Sequence, residues 1–224
     1  MTGAGYGLIE TMRARDGRLP LLEAHLARLR RSLGALGLAA PPQDLAALAR
    51  AAAGAGHRVV RLEVRAGVPA VTTRAVPPGA PPAVIVAVEP HAVYLHKSSE
   101  RGVFDRALAE ARRAGADDAL LVTPAGYVAE GTMWTLFWWE EGGGRGDRLC
   151  TPSLDLGILP GVGRARVIEL APVEEVQVRV AELAGRSFFL VNAVRGIVPI
   201  SAFRGRDVPL DARTAELSRR FWPD

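Results

Sequence analysis

A mixed α+β chain in two units is the fold class this sequence predicts, on three observations. Helix-like and strand-like hydrophobic periods follow one another without regular β–α–β alternation and without internal repeats. A dense stretch, Pro77-Pro78-Gly79-Ala80-Pro81-Pro82, interrupts the periodic pattern. The chain has 224 residues, 49% hydrophobic and 23% charged, enough for one large core or two smaller ones and too apolar for global disorder. The division that follows is a small N-terminal α/β unit over 1–77, a proline-rich linker over 78–82 and a larger C-terminal unit over 83–224.

Each element has its own signal. Residues 1–19 read as a hairpin, with alternation from Tyr6 to Arg13, a turn at Asp16-Gly17 and a return to Leu19. Leu22, Leu26, Leu29 and Leu33 recur at helical spacing and predict a helix from Leu21 to Leu38, stopped by Pro41-Pro42. A second helix is expected from Gln43 to Ala53, ended by Gly54 and Gly56. Strands follow from Arg58 to Val64 and from Ala70 to Val76. Beyond the prolines, Ala83 to Val88 reads as a buried strand and Glu100 to Ala114 as a helix capped by Gly115. A meander comes next: Ala119 to Val122, Tyr127 to Glu130, Thr135 to Trp139, a flexible turn at Gly142–Gly146, and Arg148 to Thr151. Gly161-Val162-Gly163 opens a helix from Arg164 to Leu170. Val176 to Val180 and Phe188 to Val191 are the last strands expected, with a short turn at Ala181–Ala184 between them.

The chemistry centres on His96-Lys97-Ser98-Ser99. The chain holds 27 arginines and a single lysine, Lys97. A guanidinium neither deprotonates at useful pH nor forms an imine, whereas an amine does both. Lys97 therefore reads as a Schiff-base lysine or a general base. It follows the apolar Val93-Tyr94-Leu95 and precedes a helix, a junction where partial desolvation would lower its pKa.

Other classes are excluded by composition. The net charge is only +4, and the arginines are interleaved with acids, so no nucleic-acid surface is expected beyond the short Arg28, Arg30, Arg31 group. Cys150 is alone, and His25, His57, His91 and His96 lack ligand spacing, so no metal is expected. There is no charged-then-apolar leader and no membrane-length apolar run, which reads as a cytoplasmic protein acting on a small molecule.

Three further pieces could serve that chemistry. Glu130 follows a buried Tyr-Val strand and needs a partner; taken alone, a salt bridge to an arginine is as good a reading as a functional one. Gly161-Val162-Gly163-Arg164 would present unpaired backbone N–H groups to an anion, although a plain Pro/Gly turn explains it too. Arg28 lies on a leucine-rich helix face together with His25, so its cation needs a buried anion or must snorkel outward.

Five motifs in order resemble those of the fold-type-IV pyridoxal-phosphate enzymes, the class IV aminotransferase family. They are "YGLIETMRARDGRLPLLEAHLARLRRSL", Lys97 itself, "GYVAEGTMWTLFW", "GILPGVGR" and "FFLVNAVRGIVPI". The resemblance implies a two-domain architecture like that of D-amino-acid aminotransferase, pyridoxal 5'-phosphate as cofactor, and a homodimer. It assigns Lys97 to the Schiff base, Glu130 to the pyridinium nitrogen and Arg28 to the cofactor phosphate. Val162 and Gly163 would cradle that phosphate through backbone N–H groups, with Asn192 or Ala193 closing the cup. Arg65 and Thr11 are the candidates for substrate binding. The sequence departs from the family pattern at Thr135, where Asn is usual, and at Gly163 and Ala193, where hydroxyl residues are common. Gly102 stands where the branched-chain group has Tyr. Within the family the motifs look most like 4-amino-4-deoxychorismate lyase, which forms 4-aminobenzoate and pyruvate; transamination of a branched-chain or D-amino acid is the alternative. From another class, a non-catalytic relative or an arginine-rich binding domain stays open.

Overall fold

The computed structural model describes residues 6–141 and 147–223; the predicted turn at 142–146 and the start of the predicted hairpin lie outside the described residues. The first elements are β1 (Gly7–Arg15), α1 (Leu22–Ala35), α2 (Leu45–Ala53), β2 (His57–Arg65) and β3 (Val68–Ala75). After the prolines come β4 (Ala83–Val86), α3 (Gly102–Arg113), β5 (Asp118–Val122), β6 (Val128–Gly131), β7 (Thr135–Glu140) and β8 (Arg148–Pro152). Then follow α4 (Val162–Leu170), β9 (Val173–Val176), β10 (Phe188–Asn192), β11 (Gly196–Pro199), β12 (Ala202–Phe203), β13 (Arg206–Asp207) and α5 (Ala212–Arg220).

The predicted N-terminal hairpin does not form. The turn exists, with Asp16 at φ 46° and Gly17 at φ 80°, but it closes only the Arg15–Arg18 bridge. Pro20 and the helix that follows leave no returning strand, and β1 instead pairs antiparallel with β2 along its whole length, from Gly7–Arg65 to Arg15–His57. With β3 this makes a three-stranded sheet in the order β1-β2-β3. Its inner face, Leu8, Met12, Val60 and Leu62, packs on Leu26 and Leu29 of α1. Each such leucine contributes about 1.5–3 kcal/mol by burial. Helix α1 ends before Leu38 because Gly37 turns left-handed at φ 62°, and the Leu38 N–H reaches back to Leu33 O at 2.9 Å. Helix α2 starts after Asp44, whose carboxylate accepts from Ala46 N and Ala47 N.

Two five-stranded sheets follow, ordered β11-β10-β7-β8-β9 and β13-β12-β4-β5-β6. Between them, Leu136, Trp138 and Leu190 pack with Leu120 and Phe203 in one apolar cluster. The strand expected at Val176–Val180 falls earlier, because Val173–Val176 pairs in parallel with β8. Val180–Leu183 then closes as a 3-10 turn. The proline stretch packs on the later chain, with Pro82 O accepting from Ser201 N and Ala80 O from Arg195. No described helix is long and apolar enough to cross a membrane.

Asp118 ties β5 to the turn after β6. Its buried carboxylate accepts from Ala119 N at 2.7 Å, Thr132 N at 2.9 Å and the Thr132 hydroxyl at 3.0 Å. Asp118→Ala strands these donors, each worth about 1–3 kcal/mol when buried and unmet. The urea midpoint should fall accordingly, and Asp118→Asn, which keeps an acceptor, should recover part of it.

Candidate active site

Lys97 sits in no helix or strand, and its place is set by backbone pairing. The Ile9 N–H donates to Lys97 O at 2.8 Å and the Ser99 N–H to Gly7 O at 2.7 Å, so residues 97–99 lie along the edge of β1 that β2 leaves free. The Tyr94 hydroxyl braces the same segment through the backbone of Ser98. The Lys97 side chain enters a cavity of about 340 Å³. No described residue accepts a hydrogen bond from its amine. Burial first, then the Arg28 and Arg101 guanidinium groups, push the amine down to about 7; Glu10 and Glu130 oppose that only in part.

Glu130, at the inner end of β6, lines the same cavity. Its Oε1 meets His91 Nε2 at 3.0 Å and accepts from the Leu159 N–H at 3.2 Å. The partner that a buried carboxylate requires is thus a histidine, not one of the many arginines. His91 is buried edge-on to Phe104, and its lack of ligand spacing hid this role from the sequence.

Arg28 is buried, and the anion that meets it belongs to the chain. Its Nε donates to Glu10 Oε1 at 2.9 Å and its Nη2 to Glu10 Oε2 at 2.5 Å, while Nη1 reaches Pro160 O at 3.4 Å. The buried anion that the sequence requires beside Arg28 is supplied within the chain by Glu10, which the sequence reading did not name. Its signal was in the alternation of β1, which places Glu10 with Leu8 and Met12 on the helix-facing side. His25 Nδ1 lies 2.6 Å from Glu10 Oε2, and its buried Nε2 has no partner among the described residues. Burial alone would raise the Glu10 carboxyl; Arg28 and His25 outweigh it and hold Glu10 at about 2. Desolvation lowers the His25 ring.

The start of α4 forms another wall. Gly161 caps it, and the first N–H groups, at Val162 and Gly163, have no intrahelical acceptors. A Cβ on Gly163 would stand 2.9 Å from Val191 Cγ1 and 3.0 Å from Asn192 Cα, so only glycine lets α4 approach β10 this closely. The Thr135 hydroxyl lies 3.0 Å from where a Cβ on Gly161 would be, placing one hydroxyl at the helix start despite the missing Asn. Asn192 and Ala193 both line the cavity, but the Asn192 Oδ1 is taken up by Val194 N and Arg195 N.

Of the two predicted substrate residues, Thr11 faces the cavity and Arg65 does not. In the β1–β2–β3 register Thr11 pairs with Arg61, which pairs with Thr72, and Val59 pairs with Arg74. Arg61 and Arg74 therefore share the face that lines the cavity; Arg65 lies beyond it at the strand end, against Glu63. Arg101 and Arg195 complete the cationic wall, stacked over Phe104 and Trp134.

An amine with its pKa lowered to about 7, a histidine-braced carboxylate and the first N–H groups of α4 thus surround one cavity. Residues 7–203 match the family model described as amino-transferase class IV, and the chain belongs to that family, with the fold-type-IV α+β architecture of its structural neighbours. Members of the family are pyridoxal-phosphate enzymes. A probable branched-chain-amino-acid aminotransferase of Thermotoga maritima is 39% identical over 47% of this chain and only 40% of that protein. A bifunctional aminodeoxychorismate lyase / D-amino acid transaminase of Mycobacterium tuberculosis is 28% identical over 92% of this chain and 84% of that protein. The PLP-bound form of a hypothetical aminotransferase from the same organism superposes with a TM-score of 0.82 at 25% identity, over 97% of this chain and 89% of that one.

Glu10→Gln should leave Arg28 buried beside a neutral amide, a loss of about 3–5 kcal/mol. Because folding depresses the Glu10 pKa, its stabilisation is present above the unfolded value near 4.5 and is lost as pH falls towards 2. Acid titration of stability by circular dichroism should show that loss in the wild type and a flatter curve in Glu10→Gln.

Proposed function

We propose that this chain is a pyridoxal-phosphate-dependent aminodeoxychorismate lyase, converting 4-amino-4-deoxychorismate to 4-aminobenzoate and pyruvate. The observation that carries the reading is the sole lysine, its amine lowered to about 7, in one cavity with Glu130 and the open start of α4. The donor set fits the cofactor: Lys97 would hold its aldehyde carbon, Glu130 its ring nitrogen, and Val162, Gly163 and Arg28 its phosphate. When bound, the cofactor supplies an electron sink for charge developing at the substrate carbon beside nitrogen.

The chain's own residues do the rest. Neutral Lys97 Nζ, when not bonded to the cofactor, would take the proton from the ring carbon that bears nitrogen. The carbon–oxygen bond to the enolpyruvyl group breaks as the ring aromatises, and Lys97 returns the proton to the departing methylene carbon, giving pyruvate. The substrate carries two carboxylates, and Arg61, Arg74, Arg101 and Arg195 make a wall that suits a dianion better than a small zwitterion. Among the described residues no hydrogen bond or ion pair engages the Arg74 guanidinium, which leaves it open to such a group. Glu130 is steadied by His91 and Leu159 N, so its carboxylate is held in place rather than mobile. A homodimer acting on a small molecule belongs to the same reading, and light scattering tests the assembly.

Borohydride reduction in the presence of pyridoxal phosphate should leave a covalent adduct on Lys97, located by peptide mass. Adduct formation should rise with pH around a midpoint near 7 rather than near 10, because the attacking species is the neutral amine. Lys97→Arg should form none; an adduct on that variant would end the assignment. Pyruvate release from 4-amino-4-deoxychorismate, coupled to lactate dehydrogenase, then tests the reaction. Amino transfer from D-alanine to 2-oxoglutarate without that release would make the protein a transaminase.

Glu130→Gln should still bind the cofactor but turn over at least a hundredfold more slowly, read as kcat in the same coupled assay. The amide no longer favours a protonated ring nitrogen.

A further inference from the structure

We propose that the segment following α5, Phe221–Trp222, is a positioning strap that holds the two halves of the anion cup, the start of α4 and the Asn192–Gly196 turn, at binding distance. Neither residue lines the cavity, and nothing in the motif pattern marks them.

The strap grips α4 from outside. Arg166, in the middle of α4, donates from Nε to Phe221 O at 2.8 Å and from Nη2 to Arg220 O at 3.2 Å. Arg220 in turn reaches Leu170 O at the last turn of α4, at 3.4 Å. The Phe221 ring is fully buried with Val167 of α4 and Val191 of β10, the strand whose approach makes Gly163 obligatory.

The same two rings close on the turn. A Cβ on Gly196 would come within 3.1 Å of Phe221 Cδ1 and 3.3 Å of Trp222 Nε1, and Gly196 is left-handed at φ 73°. Glycine is thus required there twice over, by conformation and by the closeness of the strap. Arg13 joins the other side: it lies 5.7 Å from the Trp222 ring centroid and donates to Val194 O at 3.2 Å. One segment therefore bonds to α4 and, through Trp222 and Arg13, loads the turn that carries Ala193 into the cavity. Packed contacts transmit such displacements because the interior has no slack. A cup made of backbone N–H groups depends on the spacing of its walls more than one made of long side chains does.

That the bound anion is the cofactor phosphate rests on the function proposed above; the strap itself does not. The test uses the full-length protein in three variants, Trp222→Ala, Trp222→Phe and Arg13→Gln, at a temperature well below each melting point. Titration with pyridoxal phosphate should show a dissociation constant about tenfold higher for Trp222→Ala and Arg13→Gln, with Trp222→Phe close to wild type. Hydrogen exchange at the Val162–Ala165 amides of the unliganded protein should be faster in the first two and restored in the third. A Trp222→Ala protein with a lowered Tm but unchanged affinity and unchanged exchange would overturn the proposal, leaving the strap a purely structural contact. If wild type fails to bind pyridoxal phosphate, the functional reading falls, and the exchange measurement alone decides for or against the strap.

Discussion

The site depends on two backbone hydrogen bonds, from Ile9 N to Lys97 O and from Ser99 N to Gly7 O. Lys97 belongs to no regular element, so this pairing is what gives its side chain a fixed origin. It also makes β1 an interior strand, with β2 on one edge and residues 97–99 on the other. Alternation along an interior strand then sends Glu10 towards α1 and Ile9 and Thr11 towards the cavity. A single strand thus carries both the countercharge of Arg28 and part of the cavity wall.

Charge in this cavity is arranged in opposition. Glu10 sits between Arg28 and His25, and Glu130 against His91, so each carboxylate is answered before any ligand arrives. Lys97 has no such answer. Desolvation in the cavity first, and then the Arg28 and Arg101 guanidinium groups, lower its pKa to about 7. Burial and like charge disfavour the ammonium, and the same terms make the neutral, reactive amine abundant at ordinary pH.

Close backbone approach is the second constraint. At Gly163 the chain allows α4 to touch β10, and at Gly196 it allows the aromatic pair after α5 to touch the turn. Neither glycine is a loop filler; each marks a point where a methyl group has no room. Together they fix how far the N–H groups of α4 stand from Ala193.

The sequence by itself determined the α+β class and most helices and strands to within a few residues, and it singled out Lys97. These rest on local periods, on turn residues such as Gly115, and on the chemical singularity of one amine among guanidinium groups. The five ordered motifs also placed Glu130, Val162 and Gly163, all of which the fold gathers around Lys97. Tertiary structure decided what depends on partners distant in the chain. The pairing of β1 with β2 rather than with its own return, the role of Glu10 as counterion to Arg28, and the histidine behind Glu130 all join residues 15 or more positions apart. The choice of Arg61 and Arg74 over Arg65 has the same origin: Arg61 and Arg65 share one face of β2 but the cavity reaches only Arg61, and Arg74 joins that face through its pairing with Val59. Register is a property of two strands, and no single strand's sequence contains it.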